Sequence, residues 1–311
     1  MGPQRGLLSA LMVCLLAAAA HAQDKKEDKK KDPNQIGNRD VGKGINFYSL
    51  EKEIALGKQL AEEVARQAKL VDDPLISEYV NRMGQNLVRN SDAKVPFTFR
   101  VIESDVPNAF SLPGGYVFVN TALIQLAEEE DELAGSVAHE IAHVAARHIT
   151  RQATKSEITN LLTIPLSVLL GGWTGYAVRQ GAGVAIPMAF LRFSRGDESE
   201  ADYLGLQYMY ASGYDPTGII TIFEKLDALN RQKPGTLGRL LSTHPLDSDR
   251  IQKAQEEIQK ILPARDEYIV NTSEYHSMRQ RVFAMEAHKK PDPQDNRPTL
   301  RRPLEMGHSL P

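Results

Sequence analysis

His139-Glu140-Ile141-Ala142-His143 places two imidazoles and a carboxylate within five residues. Histidines four apart on an α-helix stack on one face, so both can reach one metal ion. Glu140 points about 100° round the helix and need not be a ligand. Beside a metal-bound water it can act as the base instead. This pattern suits zinc-assisted peptide hydrolysis. The bland alternative is a helix with two incidentally adjacent histidines, but three polar groups together in an apolar helix are costly to bury unless something satisfies them.

A zinc site with two histidines needs a third protein ligand and one position left for water. Ser194-Arg195-Gly196-Asp197-Glu198-Ser199-Glu200-Ala201-Asp202 supplies candidates as it enters a second helix. Glu198 and Asp202 are four apart and share a face. Glu198 is the candidate ligand, with Glu200 as the competitor. Asp202 is placed to accept the N–H of a ligating histidine and fix its tautomer. His244, in Thr243-His244-Pro245, reads either as a surface histidine in a turn or as a donor to the oxyanion at the metal. His148 lies nine residues after His139, about 180° round a continuing helix, and reads as a second-layer or surface histidine.

The elements that must position these groups predict an α+β fold, mainly α. The metal helix is expected over roughly 131–151, flanked by Leu133, Ala134, Val137, Ala138, Ile141, Ala142, Val144 and Ala145. Apolar on most sides, it belongs at the centre of a domain. The acidic cluster Glu128 to Glu132 suits the dipole at its start. Upstream, Leu50, Ile54, Leu60 and Val64 recur at helical spacing behind Ser49, a plausible N-cap. Leu75, Tyr79, Val80, Met83 and Leu87 do so behind Asp73-Pro74. Alternation over 96–103, then residues 108–112, a Pro113-Gly114-Gly115 turn and a strand at Tyr116 to Asn120, predict a small antiparallel β-sheet beside the active-site helix. The apolar stretches within 158–193 read as core helices, or as a lid or flap making peripheral membrane contact.

The 311 residues are 41% hydrophobic and 25% charged with net charge −3. No basic patch dominates, which argues against nucleic acid as a partner. Residues 1–22 read as a signal peptide: Arg5, an apolar run from Leu7 to Ala20, and the small-x-small site Ala20-His21-Ala22. Cleavage before Gln23 would remove Cys14, the only cysteine, leaving an exported protein without disulfides in a bacterial periplasm. The expected organisation continues with a charged flexible linker at 23–46, a zinc peptidase domain at 47–265, a C-terminal helical segment at 266–288 and a disordered tail at 289–311.

Taken together, the His139-to-His143 motif, Glu198-x-x-Ala201-Asp202, Asn108-Ala109-Phe110 with Pro113-Gly114-Gly115, and Thr243-His244-Pro245 resemble the M48 family of zinc metallopeptidases. The likeness covers about Ser49 to Leu262 and looks closest to the soluble periplasmic branch. It implies a zincin-like helical core and one Zn2+ per chain, held by His139, His143 and Glu198. It implies Glu140 as general base and then acid, Asp202 as support for a ligand, and His244 near the zinc. There His244 either closes the site or steadies the transition state. It further implies that Tyr116 to Asn120 is an edge strand along which an extended peptide pairs, with Asn108, Tyr116 and Phe118 contacting substrate. By analogy the polypeptide substrates are unfolded or misassembled envelope proteins. Two other readings remain: a latent or non-catalytic zinc-bound chaperone or assembly factor with His244 in the water position, and an interaction protein without metal.

Overall fold

The computed structural model describes residues 32–163, 193–232, 244 and 248–287, with side chains omitted over 158–163. The expected signal peptide, the tail at 289–311 and nearly all of 158–193 lie outside the described residues. Among the described residues, no helix is long and apolar enough to cross a membrane.

Helix α1 (Leu50–Gln67) starts at Ser49, whose hydroxyl accepts from the Lys52 amide, and α2 (Pro74–Arg89) starts at Asp73 with proline in its first turn. Three strands follow: β1 (Thr98–Ile102), β2 (Ala109–Leu112) and β3 (Tyr116–Asn120). A short α3 (Thr121–Leu126) leads to α4 (Glu130–Ala145), α5 (His148–Thr163), α6 (Arg195–Ala211), α7 (Gly218–Gln232), α8 (Ser248–Ile261) and α9 (Ser273–Ala287). The fold is α+β and mainly α, as expected.

Every residue of α4 is buried. On one side it meets α7, where a Cβ on Gly135 would lie 2.8 Å from the Ile219 Cα. On another it meets α6, where a Cβ on Gly205 would lie 3.3 Å from the His139 amide nitrogen. Glycine at both positions lets three helix backbones approach closely, so α4 becomes the axis of the domain. The main core surrounds it with residues of α2, the sheet, α6, α7 and α9.

Three features depart from the sequence reading. The sheet is mixed rather than antiparallel, in the order β1-β3-β2. β2 and β3 form the expected hairpin, turning through Gly114 (φ 74°) and Gly115 (φ 94°), but β1 pairs parallel to β3. β3 is therefore the central strand and not an edge. Second, the helix expected over 131–151 breaks at Arg147, which sits in the left-handed region at φ 57°. Arg147 is held there by Nε donating to Glu53 Oε1 at 2.8 Å and by a guanidinium bond to the Tyr48 carbonyl. Third, the segment expected as a flexible linker is held to the domain around residues 39–41. Arg39 and Val41 are buried, and Arg39 pairs with Asp92 at 2.9 Å while donating to Gln207 at 2.7 Å.

Candidate active site

α4 brings His139, Glu140 and His143 into the core with at most 4% of any of them exposed. α6 begins with a capping box between Ser194 and Asp197, which fixes the first turn and with it Glu198. Among the described residues, His139, His143, Glu198 and His244 each offer a ligand atom, and these atoms all lie within 4.8 Å of one another. The Nε2 atoms of His139 and His143 are 3.0 Å apart, and His244 Nδ1 is 3.3 Å from His139 Nε2. Glu198 Oε1 is 3.0 Å from His244 Nδ1 and 3.6 Å from His143 Nε2.

This donor set fits a divalent metal of the zinc type: imidazole nitrogens and one carboxylate converging on a single point. Charge tells the same story. Burial alone would depress His139, yet Asp202 and Glu198 raise its pKa to about 9. Burial and the neighbouring His139 hold His143 well below the usual histidine range. Burial opposes ionisation of Glu198, but His244 and His139 pull its carboxyl well below the usual range.

Asp202 Oδ1 lies 3.0 Å from His139 Nδ1, although obliquely to the ring N–H. It leaves Nε2 to face the cluster. Arg250 binds both carboxylates. Its Nε and Nη2 donate to Asp202 at 2.7 Å each, and Nη1 is 2.8 Å from Glu198 Oε2. Burial resists the ionised form of Asp202, and the Arg250 guanidinium lowers its pKa regardless. Glu140 accepts a hydrogen bond from Ser111 Oγ at 2.8 Å, and its Oε1 is 3.4 Å from His244 Nε2.

Glu200 is not in the cluster; it pairs with His148 Nε2 at 3.1 Å. His148 is fully buried behind His143, their Nδ1 atoms 2.9 Å apart. It is thus not the surface histidine that the sequence left open, and it lies behind His143 because the break at Arg147 resets the geometry. Asn108 lines the cleft with Pro107, Ala109, His139, Glu140 and His244. Tyr116 and Phe118 do not. Phe118 is buried in the smaller apolar cluster, stacked on Phe110 at 5.1 Å, and half-buried Tyr116 packs against the same cluster. Their strand is covered on both sides by β1 and β2.

Ser111 and Arg250 were not legible as site residues. Ser111 sits in a strand whose alternation gives no hint of a buried hydroxyl partner. Arg250 lies in the first turn of α8, more than a hundred residues beyond the metal motif.

The model of Peptidase family M48 matches residues 74–258. The chain belongs to peptidase family M48. A beta-barrel assembly-enhancing protease of Escherichia coli (strain K12) is 30% identical over 247 residues, covering 76% of this chain and 49% of that protein. The corresponding protein of Yersinia pestis is 33% identical over 224 residues, 69% of this chain and 46% of its own length. The mitochondrial metalloendopeptidase OMA1 of Schizosaccharomyces pombe is 34% identical over 184 residues, 57% and 52% of the two chains. The chain spans about half the length of these relatives. The M48 match includes α4 and α6, so the four converging donors from His139 to His244 all lie within it.

Proposed function

We propose that this M48 protein is a zinc-dependent endopeptidase of the bacterial cell envelope. The observation that carries the reading is the convergence of His139, His143 and Glu198, with the Glu140 carboxylate beside them. His139, His143 and Glu198 would hold one Zn2+. Bound zinc lowers the pKa of its water towards ~7 and polarises a peptide carbonyl.

The chain's own residues do the rest. Ser111 holds Oε2 of Glu140, and Oε1, on the His244 side, would take the proton of the attacking water. Glu140 then returns that proton to the leaving amine. Asp202 and Arg250 keep His139 and Glu198 oriented and charge-balanced. An extended substrate would pair along β2 rather than β3. Among the described strands β2 has an open edge, its first residue lines the cleft, and Ser111 within it reaches Glu140. Asn108, just ahead of β2, is placed to meet the substrate backbone.

Unfolded or misassembled envelope proteins are the proposed substrates. The names of the enterobacterial relatives and the export signal read in residues 1–22 support that choice. The test is casein degradation by Gln23 to Pro311 beside Glu140→Gln and a chelated control. Loss of cleavage in both, with zinc retained by Glu140→Gln, is the expected result. Cleavage by Glu140→Gln at the parent rate would overturn the mechanism.

A latent form is the second reading, favoured by His244 lying inside the donor set at 3.0 Å from Glu198 and 3.3 Å from His139. If His244 blocks the water position, His244→Ala raises cleavage. If it steadies the oxyanion, the same change lowers kcat.

A further inference from the structure

His148 is a fully buried imidazole that the mechanism above leaves unused. Left-handed Arg147 turns the chain so that His148 Nδ1 comes to 2.9 Å from His143 Nδ1. On its far side, His148 Nε2 is 3.1 Å from Glu200 Oε2, and Arg151 Nη1 holds that same oxygen at 3.3 Å. Asp197 Oδ1 stands further off, at 3.9 Å from His148 Nε2.

Counting hydrogens orders this row. An ionised carboxylate only accepts, so Nε2 of His148 carries the hydrogen. A neutral imidazole has one N–H, which makes Nδ1 of His148 an acceptor. The 2.9 Å contact is then a hydrogen bond only if His143 donates from its own Nδ1. That leaves a bare lone pair on His143 Nε2, the atom 3.0 Å from His139 Nε2 and facing the donor cluster.

We infer that His148, backed by Glu200, is a positioning residue that locks His143 in the tautomer able to bind metal. The two ligand histidines are thereby oriented by different means. His139 leans on a carboxylate directly, through Asp202, whereas His143 is reached through an imidazole relay. The inference rests on the metal site proposed above, and its test reads metal affinity rather than hydrolysis.

Zinc affinity would be measured by competition with a chromophoric chelator for the parent, His148→Leu, His148→Asn and Glu200→Ala. Melting of each protein in excess chelator checks that it folds. His148→Leu removes the acceptor and should weaken zinc binding about 10–100-fold. His148→Asn keeps an oxygen near the Nδ1 position and should recover most of that loss. Glu200→Ala should lie between the parent and His148→Leu. Unchanged affinity in a folded His148→Leu would overturn the relay, as would equal losses for Asn and Leu. Should His148→Leu fail to fold, parent-like affinity in Glu200→Ala combined with a full loss in His148→Asn would do so. A parent that does not bind zinc would instead overturn the metal site itself, and the relay with it.

Discussion

Replacing Arg250 by methionine tests the electrostatic frame of the site. The guanidinium reaches Asp202 through two contacts of 2.7 Å and Glu198 through one of 2.8 Å. The three side chains are at most 5% exposed, so water screens these charges little. At an effective dielectric near 20, unit charges about 4 Å apart attract by about 4 kcal/mol. Arg250→Met would strand two buried carboxylates, with His139 and His244 as partial compensation. Methionine spares the cost of desolvating the guanidinium, which offsets part of the loss. Breaking a buried pair from one side typically costs about 3–5 kcal/mol, and that is the effect expected on the metal-free protein at pH 7. In a domain of this size that corresponds to a fall in Tm of roughly 6–20 °C. Thermal unfolding followed by circular dichroism in excess chelator measures it. Adding Asp202→Asn removes one stranded charge and should return about 1–3 kcal/mol. A single variant within about 1 kcal/mol of the parent, or a double variant no better than the single, would refute the account.

Three further outcomes follow from the same geometry. With the His139 pKa raised to about 9, zinc bound at the proposed site would displace a proton at neutral pH, so affinity should climb between pH 6 and 9. Calorimetry in buffers of different ionisation heat should detect that proton release at pH 7, and its absence would contradict the charge assignment. Burial, then Asp215 and Glu132, push Asp131 up to about 7 from 3.8, so the folded chain binds this proton more tightly than the unfolded one. Its contribution is full below about pH 4 and is lost as pH rises through about 7. Asp131→Asn should flatten that decline and stabilise the protein at pH 8 by on the order of 2 kcal/mol after discounting for screening, read by denaturant unfolding at pH 5 and 8. Ser111→Ala removes the hydrogen bond to Glu140 and should cut kcat roughly tenfold or more while sparing zinc affinity. Weakened zinc binding in that variant would place Ser111 in the metal site instead.

The metal helix, the second ligand-bearing helix and the hairpin turn were legible because each is written locally. Four-residue spacing in both helices and paired glycines in the turn announce themselves within a few positions. The misreadings share a non-local cause. The Arg147 break carries neither proline nor glycine; it is imposed by Glu53, 94 residues away in sequence. β1 was read as the hairpin's antiparallel neighbour, but it pairs parallel with β3, whose other side is already taken by β2. Alternation cannot reveal strand order, so Tyr116 and Phe118 looked like residues of an edge. Arg39 looked like part of a charged linker because its partner, Asp92, lies 53 residues on.

α4 and α6 carry the proposed ligands on stretches well separated in the chain. A metal bound to both His143 and Glu198 closes a ring of roughly 55 residues, which in a loop-entropy account stabilises the fold by about 4 kcal/mol. The only cysteine is Cys14, within the segment read as a signal, so on the proposed reading a metal would take the place that a disulfide holds in many exported proteins. On the proposed metal site, a copy stripped of its zinc would lose its chemistry and its staple in one event.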